Sequence, residues 1–176
     1  MIWPHARTKR GFSSANTSGT QFFMLKLAIS ILICQCAGIV GSFFTTRSIP
    51  TWYAFINKPT FTPPNWVFAP AWISLFTLMG IAAFLLWRKG LHTPGVKMAL
   101  SIFFLQLTLN SLWSIVFFGC RSILGGLVVI VLLWLAILWM IKNFFAISKS
   151  AAALLIPYIA WVSFALVLNV AFLTLN

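Results

Sequence analysis

The sequence predicts an all-α membrane protein, a five-transmembrane-helix bundle, and three observations lead to that fold class. First, the 176 residues are 61% hydrophobic and 7% charged, with a mean hydropathy of +1.02, whereas an average soluble domain is about 25% charged. Second, five apolar runs each approach the roughly 20 residues that a helix needs to cross a hydrocarbon core. Third, three of the four connections between these runs are short, which favours antiparallel neighbours in a compact bundle.

The predicted elements follow the chain in order. Residues 1–21 are polar and show no packing pattern, so we expect a disordered N-terminal extension before one five-helix domain of residues 22–176. The first apolar run is longer than the roughly 7 to 15 residues of a signal peptide, so it is expected to remain as a helix. The predicted helices cover residues 22–44, 66–87, 98–118, 123–141 and 151–173.

The connection of residues 45–65 is the long one, so it has to lie across one mouth of the bundle. Four prolines fall within residues 59–70, and because proline fixes φ and removes a backbone donor, this connection is stiff. Tryptophan joins an apolar ring to one N–H donor and suits either a membrane interface or the lining of a ligand pocket. The connection is therefore either an interfacial anchor or a lid, and the predicted lid residues are Trp52, Lys58, Pro59, Pro63 and Pro64.

The chain has 12 Lys and Arg and no Asp or Glu. The lack of carboxylates excludes paired-carboxylate hydrolysis, carboxylate sites for Mg²⁺ or Ca²⁺ and a Ser-His-Asp triad. The basic residues are scattered in short loops, which argues against a nucleic-acid partner. Cys34 and Cys36 would point about 200° apart on a helix, which is poor geometry for one metal ion. These two and Cys120 are expected to be small core residues, and neither a metal nor a cofactor is predicted.

Charge predicts the orientation of the bundle through the positive-inside rule. With five spans, the N-terminal segment shares a side with the second and fourth connections, and that side holds nine Lys and Arg against three on the other. We expect an integral, multi-pass protein with its N-terminus in the cytoplasm or its equivalent and its C-terminus on the opposite side. Met24 is an alternative start, and without the residues before it the ratio is six against three, which predicts the same orientation.

Three predicted helices each place aromatic, small or amide side chains on one face, at a spacing of three or four residues. Each stripe alone fits ordinary interhelical packing, in which amides join neighbouring helices. Together the stripes would enclose a flat, mostly apolar cavity with a few hydrogen-bonding groups, the usual composition of a ligand site. Lys58 or Arg47 at its rim could meet an acidic substituent. The stripes are Trp72, Phe76, Met79, Ala83 and Trp87, then Gln106, Asn110, Trp113 and Phe117, and finally Trp161, Ala165 and Asn169.

A series of ordered motifs runs through the same segments. The motifs are GIVGSFFT at 38–45, Trp52-Tyr53, Lys58-Pro59, FTPPNW at 61–66, FAPAW at 68–72, QLTLNSLW at 106–113 and LIPYIAWVSFA at 155–165. They resemble the TspO/MBR family, the tryptophan-rich sensory proteins of bacteria and the mitochondrial translocator proteins, over residues 37–176. The resemblance implies a five-helix bundle, often a homodimer, whose cavity beneath the first loop binds porphyrins such as protoporphyrin IX and benzodiazepine-type ligands.

The resemblance also implies roles for particular residues. Those matching Trp72 and Trp161 are linked in the family to light-dependent porphyrin breakdown. Residues 168–176 lack the Tyr and the basic residue of the cholesterol-recognition pattern of the animal members, so sterol binding through that motif is not expected. The stripes and the resemblance together give the candidate ligand-binding residues Tyr53, Trp66, Trp72, Phe76, Gln106, Asn110, Trp113, Trp161, Phe164, Ala165 and Asn169.

The leading functional hypothesis is a membrane receptor or carrier for porphyrin-like tetrapyrroles, with a sensory, stress or tetrapyrrole-regulating role, in a bacterial rather than a mitochondrial outer membrane. A light-dependent porphyrin-degrading enzyme is a less favoured alternative, because no general acid, base or metal site is available and the ligand would have to supply the reactivity. A transporter of tetrapyrroles or sterols is the third, although the sequence shows neither an internal repeat nor a midspan proline. The expected partners are planar hydrophobic ligands, membrane lipid and a second copy of the chain.

Overall fold

The computed structural model describes the backbone of residues 15–176 and the side chains of residues 20–176. The first part of the predicted disordered extension, residues 1–14, lies outside the described residues. The described chain is helical throughout its regular parts. Its elements are α1 (Ala15–Ser48), α2 (Trp52–Phe55), α3 (Asn65–Trp87), α4 (Val96–Ser114), a π-helical turn (Ile115–Gly119), α5 (Ile123–Ile147), α6 (Lys149–Ala153) and α7 (Ile156–Leu175).

Five helical segments are long and apolar enough to cross a membrane, which confirms the predicted all-α bundle of five spans. The first connection is again the long one, residues 49–64, while the predicted fourth connection of residues 142–150 is reduced to Ser148 between α5 and α6. The protein is therefore an integral, multi-pass membrane protein. The spans are Thr20–Ser48, Asn65–Trp87, Val96–Gly119, Ile123–Ile147 and Lys149–Leu175.

The first and fourth spans are longer than predicted. The helix α1 begins at Ala15, inside the segment expected to be disordered, and it continues past the apolar run to Ser48, where Pro50 prevents further helix. The helix α5 continues past Lys142 to Ile147. Its polar end is compatible with helix because Asn143 donates a hydrogen bond from Nδ2 to the backbone oxygen of Trp139 at 2.8 Å.

The third and fifth spans are not regular α-helices. The third ends in the π-helical turn, in which the backbone N–H of Cys120 donates to the oxygen of Ile115 at 2.8 Å. The fifth is broken between α6 and α7, with Pro157 in the first turn of α7. Proline has no backbone N–H and is favoured there, so the break lies just before it.

Helix contacts around the bundle give the order α1, α3, then α6 with α7, then α5, then α4, which closes on α1. The close contact between α1 and α3 depends on Gly80, where a Cβ atom would lie 2.6 Å from the Cα of Ile31. Cys34 is buried in the core as predicted. The same prediction is wrong for Cys36 and Cys120, which are exposed. Cys36 faces outward because it lies on the side of α1 opposite Cys34.

We call the end of the bundle that carries the connection between α1 and α3 the loop end, and the opposite end the base. At the base the helices enclose a packed core of buried side chains, and at the loop end a second, smaller cluster forms around Tyr53 and Phe117. The cations divide between the two ends, while the orientation of the bundle in a membrane stays a prediction. The described Lys and Arg at the base are Lys26, Arg88, Lys89, Lys97, Lys142 and Lys149, and those at the loop end are Arg47, Lys58 and Arg121.

A candidate ligand cavity at the loop end

A cavity of about 420 Å³ lies at the loop end, among all the spans except α5. Its volume is in the usual range of small-molecule sites, about 300–1,000 Å³. Most of its lining is apolar, and rings form a large part of it. The aromatic lining residues are Tyr53, Phe68, Trp72, Phe76, Trp113, Phe117, Phe118, Trp161 and Phe172.

The rings of the cavity wall are arranged in pairs. The ring of Trp72 stacks on that of Phe76, with centroids 5.5 Å apart and planes 29° apart. On the neighbouring α4 span, Trp113 stacks on Phe117 at 5.4 Å and 21°. Such a wall offers flat faces against which a planar ligand can stack.

The wall formed by α1 consists largely of small residues. A Cβ atom at Gly38 would lie 2.6 Å from the Cε2 of Phe76, and one at Gly41 would lie 2.9 Å from the Oγ of Ser114. The glycines therefore allow α1 to approach the rings of α3 and the end of α4 closely, and a side chain at either position would force the wall to shift.

A buried hydrogen-bond chain begins at the cavity wall and runs into the core. Asn110 lines the cavity and donates from Nδ2 to the hydroxyl oxygen of Tyr158 at 3.0 Å. The Tyr158 hydroxyl in turn donates to Oε1 of Gln106 at 2.9 Å. The chain fixes the orientation of the Asn110 amide, so this polar group is held in place before any ligand binds.

Two other polar groups of the lining lack partners. Asn169 is only 1% exposed, and neither polar atom of its amide forms a hydrogen bond with a described residue. The indole N–H of Trp113 is also without a partner in the described part of the chain. A buried polar group without a partner costs about 1–3 kcal/mol, so these groups would be stabilised by a ligand or a water that reached them.

The described residues that line the cavity include no Lys or Arg. The ammonium of Lys58 donates to the backbone oxygen of Ala54 at 3.1 Å and lies 5.0 Å from the centroid of the Tyr53 ring. The guanidinium of Arg47 lies 3.8 Å from the centroid of the Phe43 ring. Burial raises the pKa of the Tyr53 hydroxyl, so this group remains a neutral hydrogen-bond donor.

The loop between α1 and α3 is held onto α7. The backbone N–H of Asn57 donates to Oδ1 of Asn176 at 2.9 Å, and the Nδ2 of Asn176 donates to the backbone oxygen of Asn57 at 3.0 Å. The Nδ2 of Asn57 also donates to the oxygen of Leu175 at 3.0 Å. We call this group of three hydrogen bonds the Asn57–Asn176 tether.

Aromatic contacts add to the tether. The Phe61 ring meets the edge of the Phe164 ring, with centroids 6.4 Å apart, and Tyr53 packs on Phe172 at 5.8 Å. Trp52 lies against Phe117 at 5.6 Å. The loop therefore covers the loop end as a folded segment.

The cavity also reaches the outer surface of the bundle between α1 and α3. Ile39 and Ile73 line it, although they are 66% and 59% exposed. Below this opening, the Nε2 of Gln35 donates to the backbone oxygen of Ile73 at 3.1 Å and to Oγ1 of Thr77 at 3.0 Å. The opening lies within two membrane spans, so it faces the region that lipid would occupy.

The structure brings most of the predicted ligand-binding residues together at this cavity. Three do not line it: Trp66 is 74% exposed, Gln106 is buried in the core one helical turn from Asn110, and Phe164 packs on Trp161 with centroids 5.8 Å apart. The residues that line it are Tyr53, Trp72, Phe76, Asn110, Trp113, Trp161, Ala165 and Asn169.

None of the five predicted lid residues lines the cavity, although their segment covers it. The loop residues that reach the lining are Ile49 and Tyr53. Sequence reasoning also missed Phe68 and most of the α1 wall. The spacing of Ala37 and Gly41 was the available signal for that wall, because small residues mark places where helices approach closely.

Comparison with known proteins agrees with this architecture. The model of the TspO/MBR family matches residues 30–175. A tryptophan-rich protein TspO of Archaeoglobus fulgidus is 47% identical over 153 residues, which cover 87% of this chain and 98% of that protein. One of Chlorobaculum tepidum is 42% identical, with 87% and 97% covered.

A human relative extends the comparison beyond prokaryotes. The translocator protein of Homo sapiens is 37% identical over 131 residues, which cover 74% of this chain and 78% of that protein. The archaeal and bacterial relatives fit the expectation of a bacterial membrane. On the family match and these identities, the chain belongs to the TspO/MBR family.

Proposed function

We propose that this protein is a membrane receptor or carrier that binds porphyrin-like tetrapyrroles, such as protoporphyrin IX, and benzodiazepine-type hydrophobic ligands in the loop-end cavity. The observation that carries the proposal is a cavity of about 420 Å³ with three tryptophans in its wall, Trp72, Trp113 and Trp161. Flat apolar walls favour planar aromatic ligands through stacking and area burial. The names of two relatives, a tryptophan-rich sensory protein and a translocator protein, fit a role in sensing or moving such a ligand.

The polar groups of the wall set the orientation of the ligand in this proposal. Asn110 is fixed by Tyr158, and Tyr53 and the tryptophans supply neutral donors. Because no cation lines the described cavity, an ionised carboxylate would be poorly stabilised inside it. The acidic substituents of a tetrapyrrole are therefore expected to point to the loop or to the opening between α1 and α3, with the ring system inside.

A titration with protoporphyrin IX tests the proposal. Ligand should quench the tryptophan fluorescence of the full chain in nanodiscs saturably. The double variant Trp72→Phe/Trp161→Phe should bind several-fold more weakly, since phenyl offers a smaller face for stacking than indole and has no N–H donor. Trp139→Phe is the matched control, because Trp139 is 46% exposed on α5 and does not line the cavity. Equal affinity in the double variant and the control would refute binding in this cavity.

Light-dependent degradation of the bound porphyrin is the second candidate. It is favoured by the presence of both Trp72 and Trp161 in the wall, where they would contact the ligand. Illumination with substoichiometric protein should then destroy porphyrin faster than detergent alone, and the double variant should remove the difference. A rate equal to that in detergent would exclude the enzyme.

A homodimer is also proposed, on the family resemblance alone.

A further inference from the structure

The base of the bundle carries cations that the chain cannot neutralise. The sequence contains no Asp or Glu, so a base cation can be compensated only by something outside the side chains of this protein. Three base cations lie over aromatic rings, and two of them, Lys26 on α1 and Arg88 directly after α3, contact a ring of a different membrane span, whereas Lys149 lies over Phe145, four residues before it in the chain.

Lys26 and Arg88 each lie on a ring of the neighbouring helix. The Nζ of Lys26 is 5.5 Å from the centroid of the Trp87 ring, and the Cζ of Arg88 is 5.8 Å from the centroid of the Phe23 ring. Phe23 itself meets Phe84 edge to face at 4.8 Å. The two contacts run in opposite directions between α1 and α3, so both cations are held at one junction, which we call the α1–α3 base junction.

The hydrogen-bond donors of these two cations are open. Neither the ammonium of Lys26 nor the guanidinium of Arg88 donates to a described residue, in contrast to Lys58, which donates to Ala54. An ammonium has three N–H donors and a guanidinium five, and a cation–π contact satisfies none of them. The junction is therefore a pair of cations positioned over rings, whose N–H donors are open to an acceptor from outside the chain.

The position of the junction indicates the acceptor. Arg88 directly follows the second span and Lys26 lies within two turns of the start of the first, and Trp and Lys or Arg near the ends of spans meet the headgroup region of a bilayer. We propose that the α1–α3 base junction binds the phosphate of an anionic phospholipid. A zwitterionic lipid would add an ammonium group among the base cations, and the chain offers no carboxylate to receive it, so the site should select lipids with a net negative headgroup.

Native mass spectrometry of the full chain with phosphatidylglycerol and phosphatidylcholine tests this site. The protein should retain phosphatidylglycerol in preference, and Lys26→Gln/Arg88→Gln should weaken that binding at least about thirtyfold, as expected for the loss of two charge-assisted hydrogen bonds to the phosphate. The matched control is Lys97→Gln/Lys142→Gln, which removes the same charge from the same end at two cations that lie over no ring of the described chain. An equal loss in both variants would show diffuse attraction to the whole base and overturn the site.

Two further arms separate the remaining outcomes. The variant Lys26→Arg/Arg88→Lys keeps both positive charges at the junction, so it should keep most of the preference for phosphatidylglycerol. If substitution at these positions only unfolded the protein, this variant would lose the preference too. Thermal unfolding in phosphatidylcholine nanodiscs checks that each variant is folded. Added phosphatidylglycerol should raise the melting temperature of the wild type, the control and Lys26→Arg/Arg88→Lys, but not that of Lys26→Gln/Arg88→Gln. If inorganic phosphate in phosphatidylcholine gives the same rise, the lipid assignment is wrong.

Discussion

The base and the loop end are built from the same five spans, yet one is filled and the other encloses a cavity. At the base, flexible or branched side chains such as Met79, Leu86 and Met140 are fully buried and fill the space between helices. At the loop end, Trp72, Trp113 and Trp161 form the wall of an open volume of about 420 Å³. Rings such as Phe103 and Phe144 are buried at the base as well, but methionine and leucine side chains of the same core fill the gaps around them. The wall at the loop end instead leaves space that a planar molecule can use.

The boundary between the two halves is polar. The chain Asn110–Tyr158–Gln106 lies beneath the cavity and above the packed core. A second polar contact, from Nε1 of Trp134 to Oγ of Ser163 at 2.8 Å, joins α5 to α7. The packed base and this polar layer hold the helices in place, so the cavity at the loop end remains open.

Removal of one ring from each half tests the comparison most directly and should have the largest effect. Phe144→Ala at the base should lower the free energy of unfolding by about 3–5 kcal/mol, because the packed core cannot close the gap. Phe76→Ala should cost about half as much, since one side of its ring already faces open space and has no packing partner there. Both ring positions are buried, so chemical unfolding in detergent is a matched measurement. Equal losses would mean that the two halves are packed alike.

Removal of a hydroxyl from the boundary layer should have an intermediate effect. Tyr158→Phe would leave the Asn110 and Gln106 amides without their shared partner, and unfolding should become easier by about 2 kcal/mol. Ligand affinity should also fall, because Asn110 would lose its fixed orientation. Tyr53→Phe is the control for stability, since the Tyr53 hydroxyl has no hydrogen bond to a described residue. If both variants are equally stable, the polar layer does not support the bundle.

Loss of the Asn57–Asn176 tether should have the smallest effect on stability and a clear one on kinetics. Asn176→Ala removes two of its three hydrogen bonds, and because both are exposed to solvent each is worth about 0.5 kcal/mol. The loop should then open more often, so that protoporphyrin IX leaves about fivefold faster in stopped-flow fluorescence, while the free energy of unfolding falls by no more than about 1 kcal/mol. Asn143→Ala, which removes an exposed amide of α5, is the control. An unchanged release rate would show that the ligand leaves by another route, such as the opening between α1 and α3.

The sequence predicts the five spans well because length and hydropathy decide whether a helix can cross a membrane. It also predicts which faces point inward, since the spacing of Trp161, Ala165 and Asn169 defines one side of a helix. The spacing of residues on one side of a helix does not indicate how far along the helix the cavity extends. Gln106 follows the same stripe as Asn110, yet it lies one turn further from the loop end, where neighbouring helices have already closed around it.

Two other features were not predicted from the sequence, namely the α1 wall of the cavity and the end of α5. The α1 wall could not be assigned, because a glycine such as Gly38 gains its meaning only from the Phe76 ring that fits against it. The end of α5 was placed too early at the polar pair Lys142 and Asn143. A polar residue at a membrane surface need not end a helix, since its side chain can reach water or bond to its own backbone.

The π-helical turn Ile115–Gly119 is a place where the third span could lose one residue and still remain helical. A π turn has i→i+5 hydrogen bonds and holds about one residue more than an α turn, so this turn accommodates one extra residue within a membrane span. Deleting one residue there would restore α geometry and rotate all that follows by about 100°, unless the next connection absorbed the difference. The wider turn lets both Phe117 and Phe118 reach the cavity. If the connection of residues 120–122 absorbed the change, deleting one residue at this turn would therefore alter which rings face the cavity without moving the packed core at the base.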